Sequence, residues 1–264
     1  MISTIPSETL LAVKDLNLAF TLRRHQSRSL RDVFVDFSRA PIESLLKPRD
    51  SLHLLKGVDF SLRRGERLGL LGVNGSGKTS LCRAVAGMLH PSRGTIQLSG
   101  ECRAIFDTNI GIIPALTGRE NARLLARLTF PDETGPDLKR MVLEAMEFSE
   151  LRTFLDTPFE NYSAGMKSRL FLSVTTAKPA DLLILDEVYD NTDQFFQRKM
   201  VARLQNFIHT SGAVIFVSHS PEHLRKICTR AIVLQAGRVA FDGTVDQALA
   251  AYNFLNETGA PNHG

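Results

Sequence analysis

Residues 67–81 read RLGLLGVNGSGKTSL, and the fold turns on how they are parsed. The first five are nearly all apolar, which suits a short strand buried on both faces. Glycines at 72, 75 and 77 then interrupt any regular element, and from Lys78 to about residue 88 the pattern is helical. Strand, glycine-rich turn and helix in that order make an anion site. The glycines let backbone N–H groups turn inward, and the helix brings its positive end to the same point. The spacing is G-x4-G-K-[ST], so Lys78 can reach the outer phosphates of a nucleotide and the Thr79 hydroxyl can hold Mg2+. Gly72, Asn74, Gly75, Ser76, Gly77, Lys78, Thr79 and Ser80 are therefore candidate ATP-binding positions.

Such a loop needs partners at neighbouring strand ends. DLLILDE at 181–187 and AVIFVSH at 213–219 are two apolar runs that finish in polar residues. Buried parallel strands have this form, with functional groups at their carboxyl ends. Asp186 stands where a second Mg2+ ligand is required. Glu187 follows it, and a carboxylate there can orient or deprotonate the water that attacks the γ phosphate, so hydrolysis is expected as well as binding. Taken alone, the Asp-Glu pair reads equally well as a helix cap. His219 can hydrogen-bond the γ phosphate and sense its loss, although alone it would be an ordinary strand-end histidine.

Further out, 10–20 and 54–62 are apolar-rich and partly alternating, which predicts strands, with Arg64-Gly65-Glu66 as a turn. AIVLQAGRVAF (231–241) predicts a hairpin. From about 112 to 178 the pattern is helical, opened by the capping-box spacing of Thr117 and Glu120; Ser163 can cap another helix, and Thr244 with Gln247 repeats the box before the last one. The expectation is an α/β fold with an N-terminal antiparallel β part and an inserted helical subdomain. It forms one nucleotide-binding domain over 1–250, with a short tail at 251–264.

Composition narrows the class. Of 264 residues, 43% are hydrophobic and 23% charged, as in ordinary globular chains. No signal-like start and no run of about 18 apolar residues is present, so a cytosolic location is expected. Cys82, Cys102 and Cys228 have no metal-ligand spacing and read as reduced packing residues. The net charge of +4 is mild, but residues 23–50 carry seven Arg or Lys against four acids. Leu30, Val33, Phe34 and Phe37 there fall on one helical face. Either a peripheral helix on its own domain or a contact with a membrane partner or acidic lipid fits this insertion.

YSAGM at 162–166 adds the specific signal. With the phosphate loop, the helical insertion, LLILDE and His219 in that order, it resembles the ATP-binding cassette (ABC) family over about residues 10–250. There the motif usually reads LSGGQ, and Ser163 and Gly165 retain it. The resemblance implies that these two groups meet the γ phosphate of ATP held by another subunit's phosphate loop. One chain has one loop and one signature, so a homodimer is implied. Tyr162 and Met166, the stretch PALTGREN (114–121), and 186–199 are similar to the polysaccharide-exporting branch, which serves O-antigen, capsule or teichoic acid. That likeness implies an ATPase peripheral to the cytoplasmic face of a bacterial inner membrane, driving a transmembrane permease, with no nucleic-acid partner. It also implies that Asp193 is a D-loop residue contacting across the dimer and that Phe20 stacks on adenine; Phe20 as ordinary core is the competing reading.

The chain departs from the family pattern at the glutamine that usually opens the insertion. Gln97 lies too early, in an apparent strand 94–98, and whether Asp107, Thr108 or Asn109 replaces it stays open. A transporter for another substrate is one alternative. A soluble ABC ATPase acting on DNA or ribosomes is another, though it would bring a long coiled coil or a second cassette. A small-molecule kinase would leave YSAGM and His219 without a purpose.

Overall fold

In the computed structural model, residues 8–21, 51–106, 111–186, 192–210 and 212–258 are described. The basic insertion 23–50, the Asp107, Thr108 and Asn109 replacements, Glu187 and the last residues of the tail lie outside them. The elements run β1 (Thr9–Thr21), β2 (Ser51–Arg63), β3 (Arg67–Leu71), α1 (Lys78–Val85), β4 (Arg93–Leu98), β5 (Cys102–Ile105), α2 (Gly118–Thr129), α3 (Gly135–Ser149), α4 (Ala164–Thr175), β6 (Leu182–Asp186), α5 (Gln194–His209), β7 (Ala213–Val217), α6 (Pro221–Ile227), β8 (Arg230–Gln235), β9 (Arg238–Thr244) and α7 (Val245–Thr258). Two short 3-10 turns, Arg152–Asp156 and Phe159–Asn161, separate α3 from α4.

Two sheets carry the fold. The six-stranded one has the order β5-β6-β7-β3-β8-β9, parallel except for the β8–β9 hairpin. The other is the antiparallel set β2-β1-β4. Strand alternation divides the interior into two cores. Leu182, Ile184, Ile215, Val217 and Ile232 face α1 and the antiparallel sheet. Leu183, Leu185, Val214, Phe216, Ala231 and Val233 face the helices of the other side. All are essentially inaccessible, and each except Ala231 contributes about 1.5–3 kcal/mol of burial as a large aliphatic or aromatic group.

The antiparallel hairpin closes on the pair Thr21↔Ser51, at the end of β1 and the start of β2. Its middle is tied to the large sheet by Lys56 N to Gly237 O (2.8 Å) and by Arg238 Nη1 to Lys56 O (2.9 Å).

The helical insertion is a three-helix layer in which α2, α3 and α4 bury Ala122, Leu125, Val142, Met146, Phe159, Tyr162 and Phe171. The two capping boxes form as expected. Thr117 Oγ1 accepts from Glu120 N while Glu120 accepts from Thr117 N, and Thr244 and Gln247 repeat the exchange.

One boundary differs from the sequence reading. The tail expected to start at 251 opens inside α7, because Ala251, Tyr252 and Leu255 pack against the core and hold the helix through that point. Two elements were not expected: β5, an edge strand of four residues, and α6, a helix of seven. No helix among the described residues is long and apolar enough to cross a membrane.

Candidate active site

The strand order creates the site. β3 lies between β7 and β8, and β6 lies beyond β7, so the phosphate loop, His219 and Asp186 leave the same edge from three adjacent parallel strands. The registers Leu70↔Val217 and Asp186↔Val217 put the last strand residues in one row. Everything past that row faces one crevice, the usual place for a ligand in such sheets.

The loop is built to take an anion. Gly77, at the N-terminal boundary of α1, has φ 108°, and a Cβ there would lie 2.9 Å from Leu54 O. At Gly72 a Cβ would fall 2.4 Å from Leu234 O. Only glycine fits either position. No side chain caps α1, which leaves its first amides to a ligand. Lys78 is buried and folds back, its Nζ donating to Gly72 O at 2.7 Å and Val73 O at 3.3 Å.

Ser76 supplies the clearest sign that the loop fits a phosphate. Its side chain is buried, and among the described residues Oγ has no hydrogen-bond partner. A buried hydroxyl without a partner costs about 1–3 kcal/mol, and a phosphate oxygen would satisfy it. Asn74 and Gly75 are exposed at the loop tip, and Ser80 is half-buried in the first turn of α1.

Thr79 Oγ1 donates to Asp186 Oδ2 at 3.0 Å. Asp186 is buried, so one hydroxyl and one carboxylate already meet at a dry point beside the phosphate loop. Hard oxygen ligands of this kind suit Mg2+, which keeps several waters and takes few protein groups. Cys82, one turn further along α1, is no reactive thiol: burial, and then the Asp186 charge, push its pKa well up. Burial raises Cys228 and Cys102 to about 12, with all three thiols free.

His219 lies two residues past β7 and is exposed, held by a turn in which Ser220 N donates to Ser218 Oγ at 3.0 Å. Phe20 is 42% exposed near the end of β1, opposite Leu52. It is therefore not ordinary core, and its ring is available for stacking.

YSAGM behaves differently. Tyr162 is buried, and its hydroxyl donates to Phe154 O at 2.6 Å, crossing Gly118 so closely that a Cβ there would lie 1.9 Å away. Burial and the nearby Asp156 charge raise the phenol to about 12, so it stays a neutral donor. Ser163 is the N-cap of α4: Oγ accepts from Met166 N at 3.2 Å, while its own proton remains free to be given elsewhere. Ser163 is exposed and Gly165 half-buried, and among the described residues neither hydrogen-bonds to the phosphate loop.

Asp193 caps α5, accepting from Phe196 N at 3.0 Å. It also meets Arg169 of the signature helix at 3.4 Å. Arg169 in turn binds Glu150 and Ser149 O and lies over the Phe196 ring. The expected D-loop and the signature helix are thus clamped to each other within one chain. Sequence reasoning did not single out Arg169, which offers no signal beyond a positive residue two turns into a helix.

The stretch 114–121 proves to be a splint. Asn121, fully buried, accepts from Ile113 N and donates to the carbonyls of Ile113, Leu116 and Thr117. Arg119 binds both oxygens of Asp156, at 2.8 and 3.0 Å.

Comparison with known proteins agrees with this geometry. A family profile described as ABC transporter matches residues 55–190. The O-antigen export system ATP-binding protein RfbB of Klebsiella pneumoniae is 33% identical over 233 residues, 88% of this chain and 93% of that protein. The teichoic acids export ATP-binding protein TagH of Staphylococcus saprophyticus is 28% identical over 246 residues, covering 93% and 89% of the two chains. Among solved structures, the dimeric post-hydrolysis state of the ATP-binding cassette MJ0796 bound to ADP and Pi superposes with a TM-score of 0.71 at 17% identity, over 89% of this chain and 99% of that one.

Proposed function

The chain belongs to the ABC transporter family and is an ABC-type ATPase, and on that premise we propose that it is the nucleotide-binding subunit of an exporter moving a lipid-linked polysaccharide across a bacterial cytoplasmic membrane. The observation that carries the substrate class is similarity along nearly the whole length to O-antigen and teichoic-acid export ATP-binding proteins. The chemistry rests on the strand-end row.

ATP phosphates occupy the open N-terminus of α1. Lys78 leaves the Gly72 and Val73 carbonyls for the β and γ oxygens, and the buried Ser76 hydroxyl gains its partner. Mg2+, held by Thr79 and Asp186, would offset the charge that builds on the phosphate oxygens. Glu187 orients the attacking water, and His219 contacts the γ phosphate from the neighbouring strand end. Phe20 stacks against adenine.

A second copy completes each site by bringing Ser163 and Gly165 to the γ phosphate, with Asp193 facing the partner across the dimer. Binding of ATP between two subunits stabilises the closed pair by linkage, and hydrolysis releases it. The subunit sits peripherally at the cytoplasmic face. Its permease docks in the cleft between β5 and α2, where Met88 and Leu128 are exposed beside Phe106.

The test is Glu187→Gln. The variant should bind ATP normally, hydrolyse it about 100-fold or more slowly, accumulate as a closed dimer by light scattering, and co-purify with a multi-span membrane protein when ATP is present. A persistently monomeric variant with full activity would defeat the scheme.

A further inference from the structure

Between α2 and α3, on the helical layer and away from the phosphate loop, runs a groove of about 350 Å3. Val142 and Met146 form its floor, both nearly inaccessible, and Leu143 stands on its lip at 51% exposure. Arg123, Arg127 and Lys139 rim it, all exposed.

The arginines belong to a stripe. Positions 119, 123 and 127 recur every four residues along one side of α2. The first is taken by Asp156 through two hydrogen bonds. Arg123, Arg127 and Lys139 make no ion pair among the described residues. Glu120, the nearest acid along the helix from Arg123, is occupied by the Thr117 amide and hydroxyl. Arg123 feels the Glu120 charge without bonding to it, so among the described residues three cations flank an apolar trough and none of them is held in an ion pair.

We propose that this groove docks an acidic amphipathic helix of a protein partner. Its apolar face would fill the trough, which has room for about two or three large side chains of one helical face. Carboxylates one turn apart on its flank would meet Arg123 and Arg127, themselves one turn apart, repeating with the partner the pairing that Arg119 already makes with Asp156. The chain's own insertion 23–50 is a poor occupant, since seven basic residues against four acids give it the same sign as the rim. A lipid headgroup layer would satisfy the cations but not the trough. The proposal does not depend on which substrate is transported.

The full chain, carrying benzoylphenylalanine in place of Leu143, is irradiated in the cells that express it, and the adduct is mapped by mass spectrometry. The expected product joins Leu143's position to a protein segment with apolar residues at helical spacing and Asp or Glu one turn apart. Its yield should fall at least about tenfold in an Arg123→Glu, Arg127→Glu background, in line with the cost of opposing like charges across an interface. ATP binding and thermal midpoint should stay unchanged, and Lys139→Glu serves as a milder second variant. A lipid adduct, an adduct with a second copy of this chain, no adduct, or a yield indifferent to charge reversal would overturn the proposal.

Discussion

Helices α1 and α4 both begin at functional motifs, and neither has an acidic residue in its first turn. They treat their first amides in opposite ways. α1 starts from Gly77 in a left-handed conformation with no side-chain cap, over a loop in which a buried serine hydroxyl has no partner among the described residues. α4 starts from Ser163 in an extended conformation whose Oγ already serves Met166 N. An end left open and lined with buried polar groups is made for a ligand of its own chain. A capped end on the surface is stable without one, and can offer its spare donors to something that arrives from outside.

The sharpest way to break this contrast is Lys78→Ala. Loss of that cation from the open end should lower phosphate release by about 10²–10³-fold. A variant that still hydrolyses ATP normally would remove the phosphate from α1.

Ser163→Arg acts on the capped end. Hydrolysis should fall by about tenfold or more, because a bulky cation would block the approach of a second subunit's nucleotide. ATP affinity of the isolated monomer, measured by calorimetry, should not change. Equal loss of affinity and turnover would mean that the two ends work inside one chain.

Gly118→Ala asks what holds the capped end in place. The new methyl collides with the Tyr162 hydroxyl, so the helical layer should lose about 1–3 kcal/mol in a denaturant titration. Hydrogen exchange in β3 and β7 should be affected less than in α2 and α4.

The smallest effect concerns the other end of the core. Asp181 accepts from Arg64 and from Glu101 N, and these bonds hold its carboxyl below the ordinary carboxylate value. A depressed folded-state pKa means stability that is present above the unfolded value, about 3.9, and is lost as pH falls through the folded one. Asp181→Asn should therefore be slightly less stable at neutral pH, and the gap should close in acid. A gap that persists at the lowest pH would assign the effect to packing instead of charge.

Much of the α/β core was legible because its signals are local. A five-residue, nearly all-apolar run before GVNGSGKT, and two more apolar runs ending in Asp186 and near His219, fix three parallel strands and their functional edge from composition and order alone. β5 escaped because Cys-Arg-Ala-Ile has Arg103 in the middle of it, a charge tolerated only because Lys178 O and Glu101 receive it and Phe130 lies under it. α6 escaped because seven residues hold too few apolar positions to show a period. In the helical layer the capping boxes were readable, being contacts three residues apart. Asn121 and Arg119 were not, since their partners are backbone carbonyls and a carboxylate 37 residues distant. Tyr162 could be noticed as unusual, but its reason, a hydroxyl passing over Gly118, exists only in three dimensions.

The hairpin of β1 and β2 has a further consequence. Its two strands meet at Thr21 and Ser51, so the chain departs and returns at a single rung, whatever lies between. Each doubling of a connection's length costs only about 0.6 kcal/mol in closure entropy, so length at such a rung is cheap to vary. That rung is a natural graft point, because it belongs to the antiparallel sheet, whereas Asp186, His219 and the phosphate loop leave strands of the other one.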